Sequence, residues 1–345
     1  MGKQTGISWT DHTFNPWWGC AHASPGCDNC YAETFDNRLG LEHWGPKAPR
    51  RHFGPKHWAA PVAWNLQAQR AGVRARVFCA SMADVFEDRF DLEVARAKLF
   101  QLLEATPFLD WQLLTKRPGN VPRMVPAAWL AGGWPRNAWI GTTVEDQRRA
   151  DERIPLLLQA PAPVRFLSCE PLLERVDLSQ WIKRIDHCGR CCEEHPPQGP
   201  DHCPACGEGG TLIATWGERQ AEDYREGRRY DNGALGPDGD GPEIHWVIVG
   251  GESGCKARPF SIGWARSLRD QCAAAGVPYF FKQAGAYVLD DRRNVGEWER
   301  LHTPTSLLVD GQLRVFTADR AGADPAEWPE DLRGRQFPEV PPCAP

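Results

Sequence analysis

Short apolar runs, each closed by a polar signature, recur along the chain. They predict buried strands at Val77–Ala80, Trp111–Leu114, Trp139–Thr142, Val164–Ser168, Trp246–Val249 and Tyr279–Lys282. Near-continuous apolar runs of this length suit strands covered on both faces. Helical periodicity lies between several of them, at Leu92–Ala105 and at Trp264–Ala275, the latter followed by Gly276 as a stop. Strands alternating with helices imply a parallel sheet with right-handed crossovers. The expected fold is therefore α/β, a full or partial (β/α) barrel of mainly parallel strands. A doubly wound open sheet is the alternative, and periodicity does not separate the two. One stretch breaks the pattern: residues 185–242 are polar, Gly-rich and charged, with clustered cysteines. The expected organisation is a first part of the barrel with a cysteine loop (1–184), a small metal-binding insertion (185–242), the last part of the barrel (243–291) and a C-terminal extension (292–345). The extension carries a hairpin signal at Asp310-Gly311 and a Pro-rich tail.

Composition narrows this picture. Of 345 residues, 41% are hydrophobic and 25% charged, as in a globular protein with a large core. The net charge of −5 excludes a chain built to coat nucleic acid, although a local basic groove is compatible with it. No apolar run reaches the ~18 residues of a membrane span, and the first residues lack a signal-peptide pattern. No membrane partner is expected, and a cytoplasmic location is. Thirteen cysteines, many in close pairs, point to metal rather than disulfides in a reducing compartment.

The most specific signal is the C-x6-C-x2-C spacing of Cys20, Cys27 and Cys30. Thiolate is the usual protein ligand of iron–sulfur clusters. Three thiolates on a 4Fe-4S cluster leave one iron open, to chelate S-adenosylmethionine or to act as a Lewis acid. Gly19, Pro25 and Gly26 supply the turns that a wrapping loop needs. A zinc site completed by His22 is the alternative on spacing alone.

The stretches TGISWTDHTFNPWWGC and CDNCYAE are followed in order by FCASMADVFED, QLLTKRP, GTTVEDQRRADERIPLLLQ, RFLSCEPLL and VIVGGESG with ARPF. Through them, from about Ile7 to Gly285, the chain resembles the three-Cys-motif phage protein family. That family is regarded as similar to radical S-adenosylmethionine enzymes, which set a three-cysteine cluster at the mouth of a partial (β/α) barrel. The commonest radical pattern is C-x3-C-x2-C with an aromatic residue before the last cysteine; here the first gap is six and Tyr31 follows Cys30. The resemblance implies a 4Fe-4S cluster, S-adenosylmethionine, a nucleic acid or nucleotide substrate, and a partner protein encoded nearby.

In a barrel, chemistry belongs at the C-terminal strand ends. Polar residues gather there at Ser81–Asp84, Thr115–Arg117, Thr142–Glu145, Ser168–Glu170, Gly250–Ser253 and Lys282-Gln283. S-adenosylmethionine wants carboxylate acceptors for its ammonium and ribose hydroxyls, and a cation or N–H groups for its carboxylate. Asp84, Glu145, Glu170 and Glu252 are the candidate acceptors, Lys116 and Arg258 the candidate anion partners, and Tyr31 joins them beside the last cysteine. Helix caps or ion pairs are the competing role for each. Cys79 and Cys169, inside apolar strands, read as core thiols.

In the insertion, Cys188, Cys191, Cys203 and Cys206 form a CxxC…CxxC pair with eleven residues between, the pattern of tetrahedral zinc. A second iron–sulfur cluster is the alternative. Among sixteen tryptophans, Trp9, Trp17 and Trp18 lie near the cysteine loop, to shield a cluster, stack on a base or pack. Arg50, Arg51, His52 and Lys56 read as a solvated basic stretch or a phosphate contact.

Three functions follow. The first is a radical S-adenosylmethionine-type enzyme that cleaves its cofactor reductively to start hydrogen abstraction. The second is an iron–sulfur Lewis-acid hydrolase or dehydratase. The third is a zinc-bearing protein that binds nucleic acid or a partner without catalysis.

Overall fold

A computed structural model describes residues 5–182, 244–290 and 321–338, residues 317 and 319, and short strands between them. Seven strands form one parallel sheet: β1 (His12–Thr13), β2 (Ala75–Cys79), β3 (Leu109–Thr115), β4 (Ala138–Thr143), β5 (Arg165–Cys169), β6 (Trp246–Gly250) and β7 (Tyr279–Gln283). The last six coincide with the predicted runs to within two residues at each end. β1 was not foreseen; it is two polar residues long and exists through its pairing with Val77 and Phe78.

The strands lie side by side in chain order. A doubly wound sheet reverses its order at a switch point, so that alternative is excluded. Successive crossovers of one hand put the helices on a single face, and the sheet curls into a half-barrel. The longer helices among the described residues are α1 (Tyr31–Arg38), α2 (Ala60–Ala71), α3 (Glu93–Glu104), α4 (Gln147–Leu157) and α5 (Ile262–Ala275). α5 ends at Gly276 in the left-handed region (φ 69°), a conformation that costs an L side chain and not glycine.

Alternation along each strand divides the core in two. Val77, Leu113, Ile140, Leu167, Val249 and Phe281 pack against the helices, with Leu99, Ile154 and Leu268. Their neighbours Phe78, Trp139, Phe166, Trp246 and Phe280 turn to the concave face, where Trp9 joins them. The concave face therefore has its own aromatic core, which none of the helices named above covers.

Residues 334–337 run along the outer edge of β7. Phe281 N donates to Gly334 O (3.2 Å) and Gln336 N to Tyr279 O (3.0 Å). Phe337 then turns under the concave face, its ring centroid 5.5 Å from Trp246 and 5.2 Å from Phe280, with the Arg76 guanidinium 3.9 Å from it. A second sheet joins Phe260–Ser261, Val288–Asp290, Gln312–Val315 and Leu307–Val309, the last two antiparallel. In the insertion, Asp186–Cys188 pairs with Glu194–His195 and with Leu212–Ala214. The zinc expectation at Cys191, Cys203 and Cys206, and at the Cys188 side chain, lies outside the described residues. No described helix is long and apolar enough to cross a membrane.

Candidate functional site

The loop bearing Cys20, Cys27 and Cys30 crosses the C-terminal end of the half-barrel. It leaves the short strand Trp17–Trp18, which pairs with Arg51–His52. Gly19 makes the first turn at φ +109°, with its N–H on Met82 O (3.0 Å). A Cβ there would stand 2.3 Å from His43 O, so no larger residue fits. Pro25–Cys27 forms a 3-10 turn, and Cys30 caps α1.

Four strand ends hold this loop. After β2, Ser81 O accepts the Tyr31 hydroxyl (2.7 Å). After β3, Arg117 donates through Nη2 to Ala21 O (2.7 Å) and through Nη1 to Asp84 Oδ2 (2.8 Å), with Cys20 Sγ 3.8 Å away. After β4, Glu145 accepts from Gly26 N (3.4 Å) and from Arg153 (2.8 Å). After β6, Glu252 accepts from Asn29 Nδ2 (3.1 Å) and Arg258 N (2.8 Å), while Arg258 also reaches Asp28 (3.2 Å).

This sorts the residues singled out from sequence. Asp84, Glu145, Glu252, Arg258 and Tyr31 meet one another's neighbourhoods through the loop and use their polar atoms to hold it. The Asp84 carboxylate is filled by Thr115 Oγ1, Phe86 N, Lys116 N and Arg117. Burial acts to raise the Glu252 carboxyl, but the bonds from Arg258 and Asn29 outweigh it and hold the group below its ordinary value. Glu170 and Lys116 instead face the cavity without a role in the loop. Glu170 pairs with Lys282 (2.9 Å), a residue at the end of β7. Lys116 has no ion pair among the described residues.

All three thiols line a cavity of about 400 Å³, together with Asp84, Lys116, Glu170, Glu252 and Lys282. Glu145 is fully buried behind it. The cavity floor belongs to the concave aromatic core, through Trp9, Phe78 and Leu114. Thr143 also lines it. Cys20, Cys27 and Cys30 are free thiols. Burial, then Asp84, pushes the Cys20 thiol up to about 12 against the pull of Arg117. Burial also raises Cys30, opposed by the first N–H groups of α1 and by Lys116. Among the described residues, no three His, Cys, Asp or Glu side chains meet around one point as ligands of a single ion would. His22, the candidate fourth zinc ligand, instead engages Asp28 Oδ1 through Nε2 (2.8 Å).

Other sequence readings resolve here. Arg50 is buried, pairs with Glu87 (2.7 Å) and donates to three backbone carbonyls, so it is not a phosphate contact. Arg51 lies 4.8 Å from the Trp18 ring. Trp17 is buried, and Trp9 forms the floor rather than a rim. Cys79 and Cys169 are fully buried core thiols. Arg117, Asn29 and Thr143 were missed. Arg117 and Thr143 lay inside polar signatures already marked, and strand alternation from Gly141 sends Thr143 inward; Asn29 carried no signal of its own.

The family described as "Protein of unknown function (DUF5131)" matches residues 4–341. No curated protein and no solved structure matches the chain.

Proposed function

The chain belongs to the family DUF5131, whose function is unknown, and for it we propose a radical S-adenosylmethionine-type iron–sulfur enzyme. The observation that carries this reading is one cavity at the C-terminal mouth of a parallel half-barrel that is lined by three free thiols on one loop and by charged strand-end residues opposite. The donor set fits a cubane with one open iron: three sulfurs border a shared space, and His22 is committed to Asp28. A cluster is ligated at separate irons, so its thiolates surround a body instead of meeting at a point.

Cys20, Cys27 and Cys30 would hold the cluster. When bound, it supplies the single electron that cleaves S-adenosylmethionine and so begins hydrogen abstraction from a substrate. The protein's own part is binding and exclusion. Lys116, without an ion pair among the described residues, offers a cation for the cofactor's carboxylate, and Glu170 with Lys282 offers a charge pair to its ammonium or ribose hydroxyls. The aromatic floor keeps water from the reacting atoms. Zinc on Cys188, Cys191, Cys203 and Cys206 is part of the same proposal, on paired spacing alone.

Anaerobic reconstitution followed by iron and sulfide analysis tests the reading. Wild-type protein is expected to hold about four irons per chain at this site, and Cys20→Ala, Cys27→Ala and Cys30→Ala each to lose them while any zinc of the insertion stays. Reduced, loaded protein incubated with S-adenosylmethionine is expected to yield 5′-deoxyadenosine. Iron content indifferent to the three substitutions would end the proposal.

A further inference from the structure

Outside the cavity, the cysteine loop continues into a face that the proposed chemistry does not use. Cys30 caps α1, and every fourth residue from there is apolar and exposed: Tyr31 (56%), Phe35 (45%) and, at the helix end, Leu39 (52%). Residues four apart on a helix lie about 6 Å apart on one side. Tyr31 also lines the cavity, so the row starts there and runs outward. The ribbon of Trp17–Trp18 and Arg51–His52 flanks it. Trp18 meets Phe35 edge-on (6.1 Å between centroids) and Phe53 edge-on (5.7 Å), and Phe53 stacks on His57 (4.2 Å). The Arg51 guanidinium lies 4.8 Å from the Trp18 ring and 5.4 Å from the Phe53 ring, which holds its charge beside the aromatic row.

Charge indicates what covers this face. Residues 34–56 expose Arg38, Lys47, Arg51 and Lys56 against a single exposed acid, Glu42, in a chain whose net charge is −5. None of the four cations has an ion pair among the described residues. The buried Asp36 and Arg50 of the same stretch are taken by His43 and Glu87. Exposed rings in a row beside unpaired cations fit an occupant with flat apolar faces and a repeating negative charge. An acidic protein surface supplies the charge and not the row of flat faces. A double helix keeps its base faces covered. An unpaired nucleic acid strand supplies both. We propose that α1 and the adjoining ribbon form a track for single-stranded nucleic acid, with bases stacked on Tyr31 and Phe35 and phosphates paired to Arg51 and its neighbouring cations. One nucleotide would enter the cavity while those beside it stay on the track. As a substrate surface the track rests on the enzymatic reading above, but binding needs no chemistry, so the two fail separately.

Fluorescence anisotropy of the full chain with labelled DNA and RNA strands about 12 nucleotides long tests it. At least one strand is expected to bind, and the matching duplex to bind more weakly. Phe35→Ala is expected to weaken binding about tenfold, the loss of one stacked base, and Phe35→Trp to restore it. Arg51→Gln is expected to weaken binding and to lower the slope of log K against log salt by about 0.7, the loss of one phosphate contact. Circular dichroism melting identifies any variant that fails to fold, and the other position then carries the test. A preference for DNA or for RNA names the strand, and either supports the track. No binding of either strand by folded protein, a duplex bound more tightly than the single strands, or wild-type affinity in both Phe35→Ala and Arg51→Gln overturns the proposal. Displacement of the strand by polyglutamate, with Phe35→Ala lacking effect, would assign the face to an acidic protein and also overturn it. Strand binding with iron content indifferent to the cysteine substitutions would end the cluster reading alone; iron lost in those variants, with no strand bound by wild type, would end the track alone.

Discussion

Arg117 touches three things at once: the Asp84 carboxylate, the Ala21 carbonyl and, at 3.8 Å, the Cys20 sulfur. A guanidinium beside a ligating thiolate withdraws electron density and favours the reduced cluster. If Cys20 holds the proposed cluster, Arg117→Gln is therefore expected to retain wild-type iron content and to show a more negative midpoint potential, read by redox titration followed by electron paramagnetic resonance. An unchanged potential would mean that the N–H···S contact has no influence on the cluster. Two glycines make room for the site in a different way. A Cβ on Gly141 would stand 2.5 Å from the Phe166 ring, and one on Gly250 would stand 2.7 Å from Glu170 Oε1. Both lie on strands where a glycine normally weakens the sheet. Here the missing side chain lets the Phe166 ring lie across the concave face and lets Glu170 reach the cavity.

At the scale of elements, α5 is fastened to the C-terminal segment by ion pairs rather than by apolar packing alone. Arg266 donates to Asp331 (2.9 Å) and lies 3.4 Å from Asp290, and Arg269 also binds Asp331. Burial acts to raise the Asp331 carboxyl, but the two arginines outweigh it and bring it from 3.8 to about 2. A carboxyl depressed in the folded state contributes stability above its unfolded value and loses it as pH falls through the folded one. Asp331→Asn is thus expected to melt below wild type by a constant margin at neutral pH. The margin should begin to close below about pH 4 and vanish near pH 2. A margin independent of pH would assign the effect to packing. The cysteine loop is the contrasting element. It has little core of its own, and its shape comes from Tyr31, Asn29, Gly26 and Ala21, each tied to a different strand end. The cysteine-loop side chains are therefore exposed to ligand while their backbone is held by the sheet.

For the whole molecule, the half-barrel leaves β7 with a free edge, and residues 334–337 cover it while Phe337 seals the floor from below. Phe337 is 36% exposed, so Phe337→Ala is expected to cost about 1–2 kcal/mol rather than the value of a full core aromatic. Urea unfolding with an unchanged m-value checks this. Much of the fold was legible beforehand. The predicted strands Trp139–Thr142 and Tyr279–Lys282, and the helix Leu92–Ala105, match Ala138–Thr143, Tyr279–Gln283 and Glu93–Glu104. The cysteine loop and the polar strand ends were legible as well. These features are written in neighbours a few positions apart, through apolar runs, helical periods and turn residues, and so the sequence alone determined them. The order of the strands was not written there, nor was the division of labour among the carboxylates. Glu145 meets Gly26 across 119 positions and Asn29 meets Glu252 across 223. Only the folded sheet brings such groups together, and only then does geometry direct one carboxylate to the loop and another to the cavity.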